Sequence, residues 1–562
     1  MPVAAAAPAA TPPAPARDAR TGAGGDVWLY AAAIIFVLAL AALHRGLLGA
    51  SPVFPLDDAY ITLHNAEVFW LGRDPNYPGA SSLTGATSIV HLGLVILLAS
   101  LFSPLTAQVV VLWLAVLVYA LGLVRLCRAH GAPPGLTALL TLVGLFVGQT
   151  PYQLTNGLET GLALAAVTWA LALAANDESG RSRLWLAGLC GTLPYVRPEL
   201  AALALPLLAL QAARRVRKAD RLADALRPIL TDLAVAGLCA APWALWCWAD
   251  LGSSLPTSAH AKRLFFAQAA LPPGMKMGGV WEGLAGWGRD VGLLLLAFAP
   301  LARFSHGRAG LVFAVCLLGA YWLYFPWALP TYEFRYLYPL LPLPLLGVAI
   351  ALSSVRPAAR YVAATLLVLC MGQIGLNART NAGKYLAYRD TTLYELFPTV
   401  RWCRYHLPPD ARVLVHDAGY VAWGTDLRLT DLVGLKTPAS VRYHRALTYP
   451  SGGKKRIDAV SQIARDSHAD FLIVLRLWER DFGIARGLWE RGWGVRPVNQ
   501  DYAWVVYALS PPPPPGSAFG GQARPAPPPS GMAPWRPGDI RLGPGAAEGT
   551  AAAQDLPRVP AN

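Results

Sequence analysis

The chain has 562 residues, of which 55% are hydrophobic and only 14% are charged. Soluble proteins carry about a quarter charged residues, and many apolar stretches here approach the roughly 20 residues that cross a bilayer. The composition therefore argues against a soluble protein and indicates a polytopic α-helical membrane protein. The net charge of +14 lies mainly in short loops between apolar segments, which indicates membrane topology and excludes nucleic-acid binding.

The first apolar segment, 27–47, follows two arginines, which predicts a cytoplasmic N-terminus. Residues 1–26 are rich in alanine and proline and are predicted to be disordered. The first external loop, 48–104, contains an apolar stretch at 88–102. If this stretch crossed the membrane, every later basic loop would lie on the opposite side. We therefore predict that 88–102 lies at the outer interface or re-enters the membrane.

Eleven spans are predicted in the membrane domain, 27–376, and the basic loops then fall on the cytoplasmic side. The segments 184–196 and 199–213 are short and are also consistent with a broken pair. The predicted spans are 27–47, 105–124, 135–148, 158–175, 184–196, 199–213, 229–249, 287–302, 309–327, 337–353 and 361–376.

The composition changes after residue 376. Four short runs have strand character and alternate with stretches that favour helix at 392–406 and 458–467. The strand-like runs are 412–416, 428–432, 471–475 and 504–509. They predict a small α/β domain over 377–510. An odd number of spans after a cytoplasmic N-terminus places this domain outside. The segment 511–562 is rich in proline, glycine and alanine and is predicted to be disordered.

Motifs for nucleotide-driven pumps and for the common hydrolases do not occur with their required context. Charged residues instead gather at the external ends of the spans. Acids and bases on one side of a membrane suit an anionic substrate and an acid–base reaction. The charged residues concerned are Asp57, Asp58, Glu159, Arg197, Glu199, Lys262, Arg263, Glu333 and Arg335.

Each of these groups also has a plain structural interpretation. The two aspartates are suited to cap the helix that follows them, and Glu159 is suited to complement the dipole of its own helix. Arg197 is placed to pair with Glu199. The basic residues of 255–263 are suited to contact lipid headgroups, and Arg335 is suited to anchor an interface.

Several short sequences occur together in a recognisable order. They are DDAYIT at 57–62, GLET at 157–160, RPE at 197–199, FRYLYPLLP at 334–342, and HDAG at 416–419 followed by DLVGL at 431–435. On these residues the chain resembles the GT-C superfamily of membrane glycosyltransferases, over about residues 27–510. The closest resemblance is to the branch of the mycobacterial terminal arabinofuranosyltransferase and its Gram-negative relatives. It implies a GT-C-like fold of about 11 transmembrane helices with a small external α/β domain.

The resemblance implies that a sugar moves from a polyprenyl-phosphate donor to an acceptor hydroxyl on the external face, with inversion. The matching motif positions make Asp57 the expected general base, with Asp58 orienting the acceptor or sharing the proton. The leaving phosphate gains charge that cations stabilise. Arg335 and Lys262 are the expected cations, and Arg197 is a third candidate.

Three further residues, Tyr60, Glu159 and Glu333, are predicted to position substrate. The sugar is left open as arabinofuranose or another pentose or hexose, and the acceptor as a glycan, lipid or protein. Membrane lipids are the other expected partner. No cofactor and no metal are predicted, although some members of the superfamily need a divalent metal, for which only Asp57 and Asp58 offer ligands. The expected location is the bacterial inner membrane, with the site and the C-terminal domain in the periplasm.

Two other functions compete with the enzyme. A lipid or solute transporter often shows inverted repeats and broken helices near the bilayer midplane, whereas no repeat is detected here and the charges gather at one face. In a binding or scaffold protein the α/β domain would be the active part. Such a protein does not need so many spans or so many charged external turns.

Overall fold

The computed structural model describes residues 23–49, 53–175, 180–354 and 356–512. Most of the two terminal segments that were predicted to be disordered lies outside these residues. Where they overlap, the first helix already begins at Ala23. The last strand ends at Ser510.

The part of the chain before the sheet consists of helices and the loops that connect them. A 3₁₀ segment, Gly292–Arg303, joins α12 to α13. The helices are α1 (Ala23–Leu48), α2 (Asp58–Leu71), α3 (Ile89–Ala99), α4 (Pro104–Ala129), α5 (Pro134–Phe146), α6 (Thr150–Thr155), α7 (Thr160–Ala175), α8 (Gly180–Val196), α9 (Ala201–Lys218), α10 (Leu222–Leu251), α11 (Ser258–Phe266), α12 (Pro273–Val291), α13 (Ser305–Tyr324), α14 (Pro342–Leu352) and α15 (Pro357–Thr391).

This is a membrane protein. Among the described residues, 6 helical stretches are long and apolar enough to cross a bilayer. They are Asp26–Leu47, Pro104–Ala129, Leu222–Leu251, Pro273–Arg303, Ser305–Tyr324 and Pro357–His406. Helical segments lie at the positions of all the predicted spans, but the others are shorter or more polar. The count of eleven spans therefore stays a prediction.

The bundle contains two kinds of helix. The helix α7 is apolar on every side and almost entirely buried between α4, α8 and α13, as expected for a helix with no polar face. The helix α10 has few buried residues and exposes large side chains such as Leu238 and Leu245. This contrast separates the centre of the bundle from the helices that face lipid.

The apolar stretch 88–102 folds as the short helix α3, with Ser88 as its N-cap. Its 11 residues extend about 16 Å, roughly half of the hydrocarbon core of a bilayer. The helix packs beside α2 and α4, and Leu97 and Leu101 at its far end are exposed. These features agree with an interfacial position, which remains a prediction.

The C-terminal part contains a small five-stranded sheet. The strand order is β2-β1-β3-β5-β4, in which β1 pairs parallel with β2 and β3, and β5 pairs antiparallel with β3 and β4. The elements are α16 (Phe397–His406), β1 (Arg412–Val415), α17 (Tyr420–Gly424), β2 (Arg428–Asp431), α18 (Pro438–Tyr443), α19 (Arg456–Asp466), β3 (Phe471–Leu475), α20 (Arg476–Phe482), α21 (Ile484–Glu490), β4 (Gly494–Asn499) and β5 (Trp504–Ser510).

Two features of this region differ from the sequence prediction. The strand β4 was not predicted, because Arg496 and Pro497 interrupt its apolar pattern. It is an edge strand with an irregular register at Pro497, which is where proline is tolerated in a sheet. The expected boundary at residue 377 is not a break in the chain, because α15 continues without interruption to Thr391.

The sheet separates two hydrophobic cores. Val413, Val415 and Ile473 belong to the core that is continuous with the membrane bundle. Their neighbours Leu414 and Leu472 point to the other face, as the alternation of a strand requires. Because β1, β2 and β3 are parallel, their carboxyl ends lie at one edge of the sheet. This edge faces the first loop of the membrane domain.

Candidate active site

A buried glutamine of α4 brings the start of α2 and the loop before α7 together. The Gln108 side chain is fully buried, and its Nε2 donates hydrogen bonds to the carbonyl oxygens of Ala59 at 3.1 Å and Gly157 at 2.6 Å. Gly157 has a φ of 82°, a left-handed conformation that favours glycine. This arrangement sets Asp58 and Glu159 beside each other.

Arg335 enters the same region from a run of three left-handed residues. Tyr332, Glu333 and Phe334 have φ values of 50°, 53° and 60°, each of which costs of order 1–3 kcal/mol. The side chain of Gln153, buried in α6, donates from Nε2 to the carbonyl oxygens of Tyr332 and Glu333, both at 2.9 Å. These bonds stabilise the turn that directs Arg335 inward.

Glu333 connects this turn to α15. Its carboxylate lies 2.7 Å from Lys384 Nζ and accepts a 3.5 Å hydrogen bond from the Tyr388 hydroxyl, and both partners belong to α15. Glu333 does not join the acids around Arg335. Its predicted role in positioning substrate stays a prediction.

Arg335 is the centre of a buried ion cluster. Its Nη2 donates to Glu159 Oε1 at 2.8 Å, and its Nη1 donates to Asp58 Oδ2 at 3.2 Å. Lys262 Nζ, from α11, lies 3.7 Å from the same Asp58 oxygen. Four of the residues predicted from sequence therefore meet at one point, although they come from four separate segments of the chain.

Arg197 lies behind this cluster. Its side chain is 1% exposed, and Nε lies 2.9 Å from Glu199 Oε1 and 3.6 Å from Glu159 Oε1. The pairing with Glu199 that a purely structural interpretation expects is present. Arg197 also touches the carboxylate that holds Arg335, and its part in phosphate binding stays a prediction.

The cluster opens onto a cleft between the first loop, α3 and the C-terminal domain. Arg335 Nε is buried and donates to no acceptor in the part of the chain that the structure describes. A buried donor without a partner is costly. Residues lining the cleft include Asp58, Thr62, Thr87, Ser88, His91, Glu159, Lys262, Arg335 and Leu435.

The Asp57 carboxylate contacts the C-terminal domain. Its Oδ2 accepts a 2.9 Å hydrogen bond from the backbone N–H of Gly419, and its Oδ1 accepts a 2.7 Å bond from that of Tyr420. Asp57 makes no side-chain capping bond to α2. The capping interpretation is therefore wrong for α2, and the carboxylate instead ties the first loop to the turn after β1.

Tyr60 lies in the hydrophobic core. It is 1% exposed and its ring contacts those of Phe397 and Tyr420. The hydroxyl accepts a 3.1 Å hydrogen bond from the backbone N–H of Phe54. These contacts give Tyr60 a packing role, and the predicted role in positioning substrate stays a prediction.

The two adjacent aspartates have opposite electrostatic surroundings. Burial and the nearby Asp417 raise the pKa of Asp57 well above its ordinary value, and the two backbone N–H bonds only partly offset them. Burial also acts to raise the pKa of Asp58, but Lys262 and Arg335 outweigh it and lower that pKa. Asp57 is thus the stronger base, and Asp58 stays ionised beside its cations.

A buried polar network that sequence reasoning missed joins the first loop to the C-terminal domain. Lys436 Nζ lies 3.1 Å from Asp74 Oδ2 and donates to Asn65 Oδ1 at 2.7 Å. His64 Nε2 lies 3.2 Å from Asp74. Lys436 and Asp74 have fully buried side chains. The partners are far apart in sequence, so no local sequence pattern could predict the network.

The described residues contain no group of three or more histidine, cysteine, aspartate or glutamate side chains placed to hold a metal ion. The two aspartates of the first loop do not form a shared set of ligands, because Asp57 accepts backbone N–H groups and Asp58 faces two cations.

The comparisons with known proteins match either the C-terminal domain alone or most of the chain. Residues 386–507 match a family model described as a domain of unknown function, DUF8728. No curated protein matches the sequence.

Solved structures resemble nearly the whole chain. The crystal structure of ArnT from Cupriavidus metallidurans bound to undecaprenyl phosphate matches with a TM-score of 0.51 and 14% identity, over 84% of this chain and 97% of ArnT. This chain has the fold of ArnT. The apo state of the same ArnT gives a TM-score of 0.49 with 14% identity, over 86% of this chain and 98% of that one.

An oligosaccharyltransferase from Archaeoglobus fulgidus matches more weakly, with a TM-score of 0.45 and 11% identity over 86% of this chain and 74% of that one. The fold is therefore that of ArnT, and membership of the GT-C superfamily stays a prediction. The arabinofuranosyltransferase branch stays a prediction.

Proposed function

We propose that this chain is a GT-C-type membrane glycosyltransferase that moves a sugar from a polyprenyl-phosphate donor to an acceptor hydroxyl. The observation that carries the proposal is the pair of cations, Arg335 and Lys262, which face Asp58 in one cleft. The shared fold supports it, because ArnT has been crystallised with undecaprenyl phosphate.

The donor phosphate is assigned to the cations of the cleft. As the bond between the sugar and the phosphate breaks, the departing phosphate gains one negative charge, which fixed cations stabilise. Arg335 Nε is buried and has no hydrogen-bond partner among the described residues, and the other two nitrogens donate to Asp58 and Glu159. Such a preoriented guanidinium suits a phosphate oxygen.

Asp57 is assigned as the general base. Asp58 is a poor base because two cations hold it ionised, whereas burial and Asp417 raise the pKa of Asp57. Each Asp57 oxygen accepts one backbone N–H bond and retains a further lone pair for an acceptor hydroxyl. With one base and no covalent nucleophile, the sugar is expected to invert at its anomeric carbon.

The expected reaction face follows from the eleven-span topology, which places this end of the bundle outside. We therefore assign the reaction to the periplasmic face of a bacterial inner membrane. The resemblance to the arabinofuranosyltransferase branch favours a furanose donor, and other pentoses and hexoses are the alternatives. The acceptor is a hydroxyl of a glycan, lipid or protein.

The test is turnover by the purified full-length protein in detergent, with a panel of polyprenyl-phosphate pentoses and hexoses. The proposal predicts release of polyprenyl phosphate from one of them and a product of inverted anomeric configuration by NMR. Failure to release polyprenyl phosphate from any donor would contradict the enzyme. Movement of intact donor between the leaflets of reconstituted vesicles, without cleavage, would favour the transporter.

A further inference from the structure

The C-terminal domain presents a carboxylate to the same site. Asp417 follows β1 at the edge where the carboxyl ends of the parallel strands meet, which is the edge that α/β sheets commonly use for ligands. Two residues later, the turn contacts Asp57 through the N–H of Gly419. Leu435, which follows β2, lines the cleft itself.

The turn after β1 fits closely against Asp57. A Cβ placed on Gly419 would lie 2.2 Å from the backbone oxygen of Asp57 and 2.8 Å from its Oδ2. Side chains do not make contacts that short, so the position requires glycine. The hydroxyl of Tyr77, from the first loop, donates to the Ala418 oxygen at 3.3 Å on the other side of the turn. The position of Asp417 relative to Asp57 is therefore fixed by packing.

The Asp417 carboxylate is held by neighbours and remains accessible. Its Oδ2 accepts a 3.1 Å hydrogen bond from Trp504 Nε1, and its side chain is 24% exposed. The neighbouring His416 has a buried side chain, and neither of its ring nitrogens has a hydrogen-bond partner among the described residues, although Nε2 lies 3.0 Å from Asp417 Oδ2.

The side chain of Tyr332 is near enough to Asp58 of the first loop and Asp417 of the C-terminal domain to be affected by both charges. Burial and then both carboxylates raise the pKa of the Tyr332 hydroxyl well above its ordinary value. Tyr332 is 39% exposed. Tyr332 therefore lies near carboxylates of both domains and also near Arg335, whose charge acts on its pKa in the opposite direction.

We propose that Asp417 is an acceptor-binding residue that forms a carboxylate pair with Asp57, and that the pair selects an uncharged sugar as acceptor. This inference rests on the proposed function. A carboxylate accepts hydrogen bonds from sugar hydroxyls. An acceptor with its own carboxylate or phosphate near the reacting hydroxyl would be repelled by the pair.

The reaction step follows from this pairing. The acceptor O–H bond breaks and its proton passes to Asp57, while the acceptor oxygen forms a bond to the anomeric carbon. The bond from that carbon to the donor phosphate oxygen breaks, and its electron pair leaves with the phosphate. Asp417 accepts a hydrogen bond from a second hydroxyl of the same acceptor and so orients the first toward Asp57.

The experiment compares Asp417→Asn with Asp410→Asn in the full-length protein. Asp410 is exposed and precedes β1, so the control removes the same charge at the opposite end of the same strand. The acceptor probes are octyl glucoside, octyl arabinofuranoside and the anionic octyl glucuronide. Donor cleavage without acceptor and thermal stabilisation by undecaprenyl phosphate report on the donor site and on folding.

The proposal predicts that the wild type transfers to a neutral glycoside in preference to the glucuronide. Asp417→Asn should lower kcat/KM for the neutral acceptor about 10- to 100-fold, as expected for a lost bond to a charged group, with an unchanged donor KM and weaker discrimination against the glucuronide. Asp410→Asn should behave like the wild type. If Asp417→Asn does not bind undecaprenyl phosphate, Asp417→Glu keeps the charge but displaces the carboxylate by one methylene group. It should lower kcat/KM for the neutral acceptor and keep the discrimination against the glucuronide.

Equal effects of Asp417→Asn and Asp410→Asn, or equal use of glucoside and glucuronide by the wild type, would overturn the proposal. So would a wild type that cleaves donor but transfers to neither neutral glycoside, although the proposed function would then stand. A wild type that cleaves no donor would overturn the proposed function itself.

Discussion

Arg335 Nη2 lies 2.8 Å from Glu159 Oε1, and both side chains are 5% exposed. A pair this deeply buried is strongly destabilised when one partner is removed, because the other is left as an uncompensated charge. The two residues come from loops 176 positions apart in sequence. Their contact therefore brings two distant parts of the chain together at the cleft.

The first prediction concerns this pair. Glu159→Gln and Arg335→Gln should each lower the unfolding temperature of the protein in detergent. The double variant should be more stable than the sum of the two changes predicts, since neither charge is left alone. A coupling free energy of about 0.5–3 kcal/mol is expected for residues in contact. Strictly additive changes would contradict a functional ion pair in the folded protein.

The second prediction concerns the left-handed turn before Arg335. Gln153→Leu removes the two hydrogen bonds to the turn and should let it relax, so that Arg335 is no longer held in the cleft. Donor KM should rise about tenfold, with a smaller change in kcat, as expected when a positioning contact is lost. Thr155→Val, on the same short helix, is the control. Equal donor KM values for the two variants would show that the turn does not depend on Gln153.

Much of the architecture could be predicted from hydrophobic patterns, and the gathering of charges followed from span parity. Those grounds predicted acids and bases on one side of the membrane, but not that Asp58 and Glu159 both contact Arg335. The contact of Asp57 with Gly419 was not, because it joins residues 362 positions apart and depends on how two domains pack. The left-handed turn could not be predicted either, because Tyr332 and its neighbours are residue types that rarely adopt positive φ.

The third prediction concerns pH and the network between the domains. Burial lowers the pKa of His64 below its ordinary value, with a partly opposing hydrogen bond to Asp74. Below about pH 6.5 the His64 side chain binds a proton more readily in the unfolded chain than in the folded protein. His64 therefore lowers the free energy of unfolding as pH falls through that range. Asp431, whose pKa burial raises to about 6, acts in the opposite direction.

The measurement compares the unfolding temperatures of the wild type and His64→Gln at about pH 7.5 and about pH 5.5, on either side of the ordinary histidine value. The contribution of Asp431 is common to both proteins and cancels. His64→Gln should lose less stability between the two pH values than the wild type does. An identical loss would show that His64 is not buried in its neutral form.

The fourth prediction concerns topology. The interfacial position of α3 requires both of its flanking loops to lie outside. Single cysteines at Ser82 and Ser103, in a cysteine-free background, should both react with an impermeant reagent added to the outer face of intact cells. If the cysteine at Ser103 reacts only after permeabilisation, α3 crosses the membrane and the eleven-span topology is wrong.

The central claim is that Arg335 stabilises the phosphate that leaves from a polyprenyl-phosphate donor. The most direct test measures kcat/KM for donor in the wild type, Arg335→Lys, Arg335→Gln and the exposed control Arg289→Gln. Loss of a hydrogen bond to a charged group predicts a fall of about 10- to 100-fold for Arg335→Gln. An intermediate value is expected for Arg335→Lys, which keeps the charge without the planar fork, and no change for the control. Wild-type turnover by Arg335→Gln at limiting donor would contradict the account.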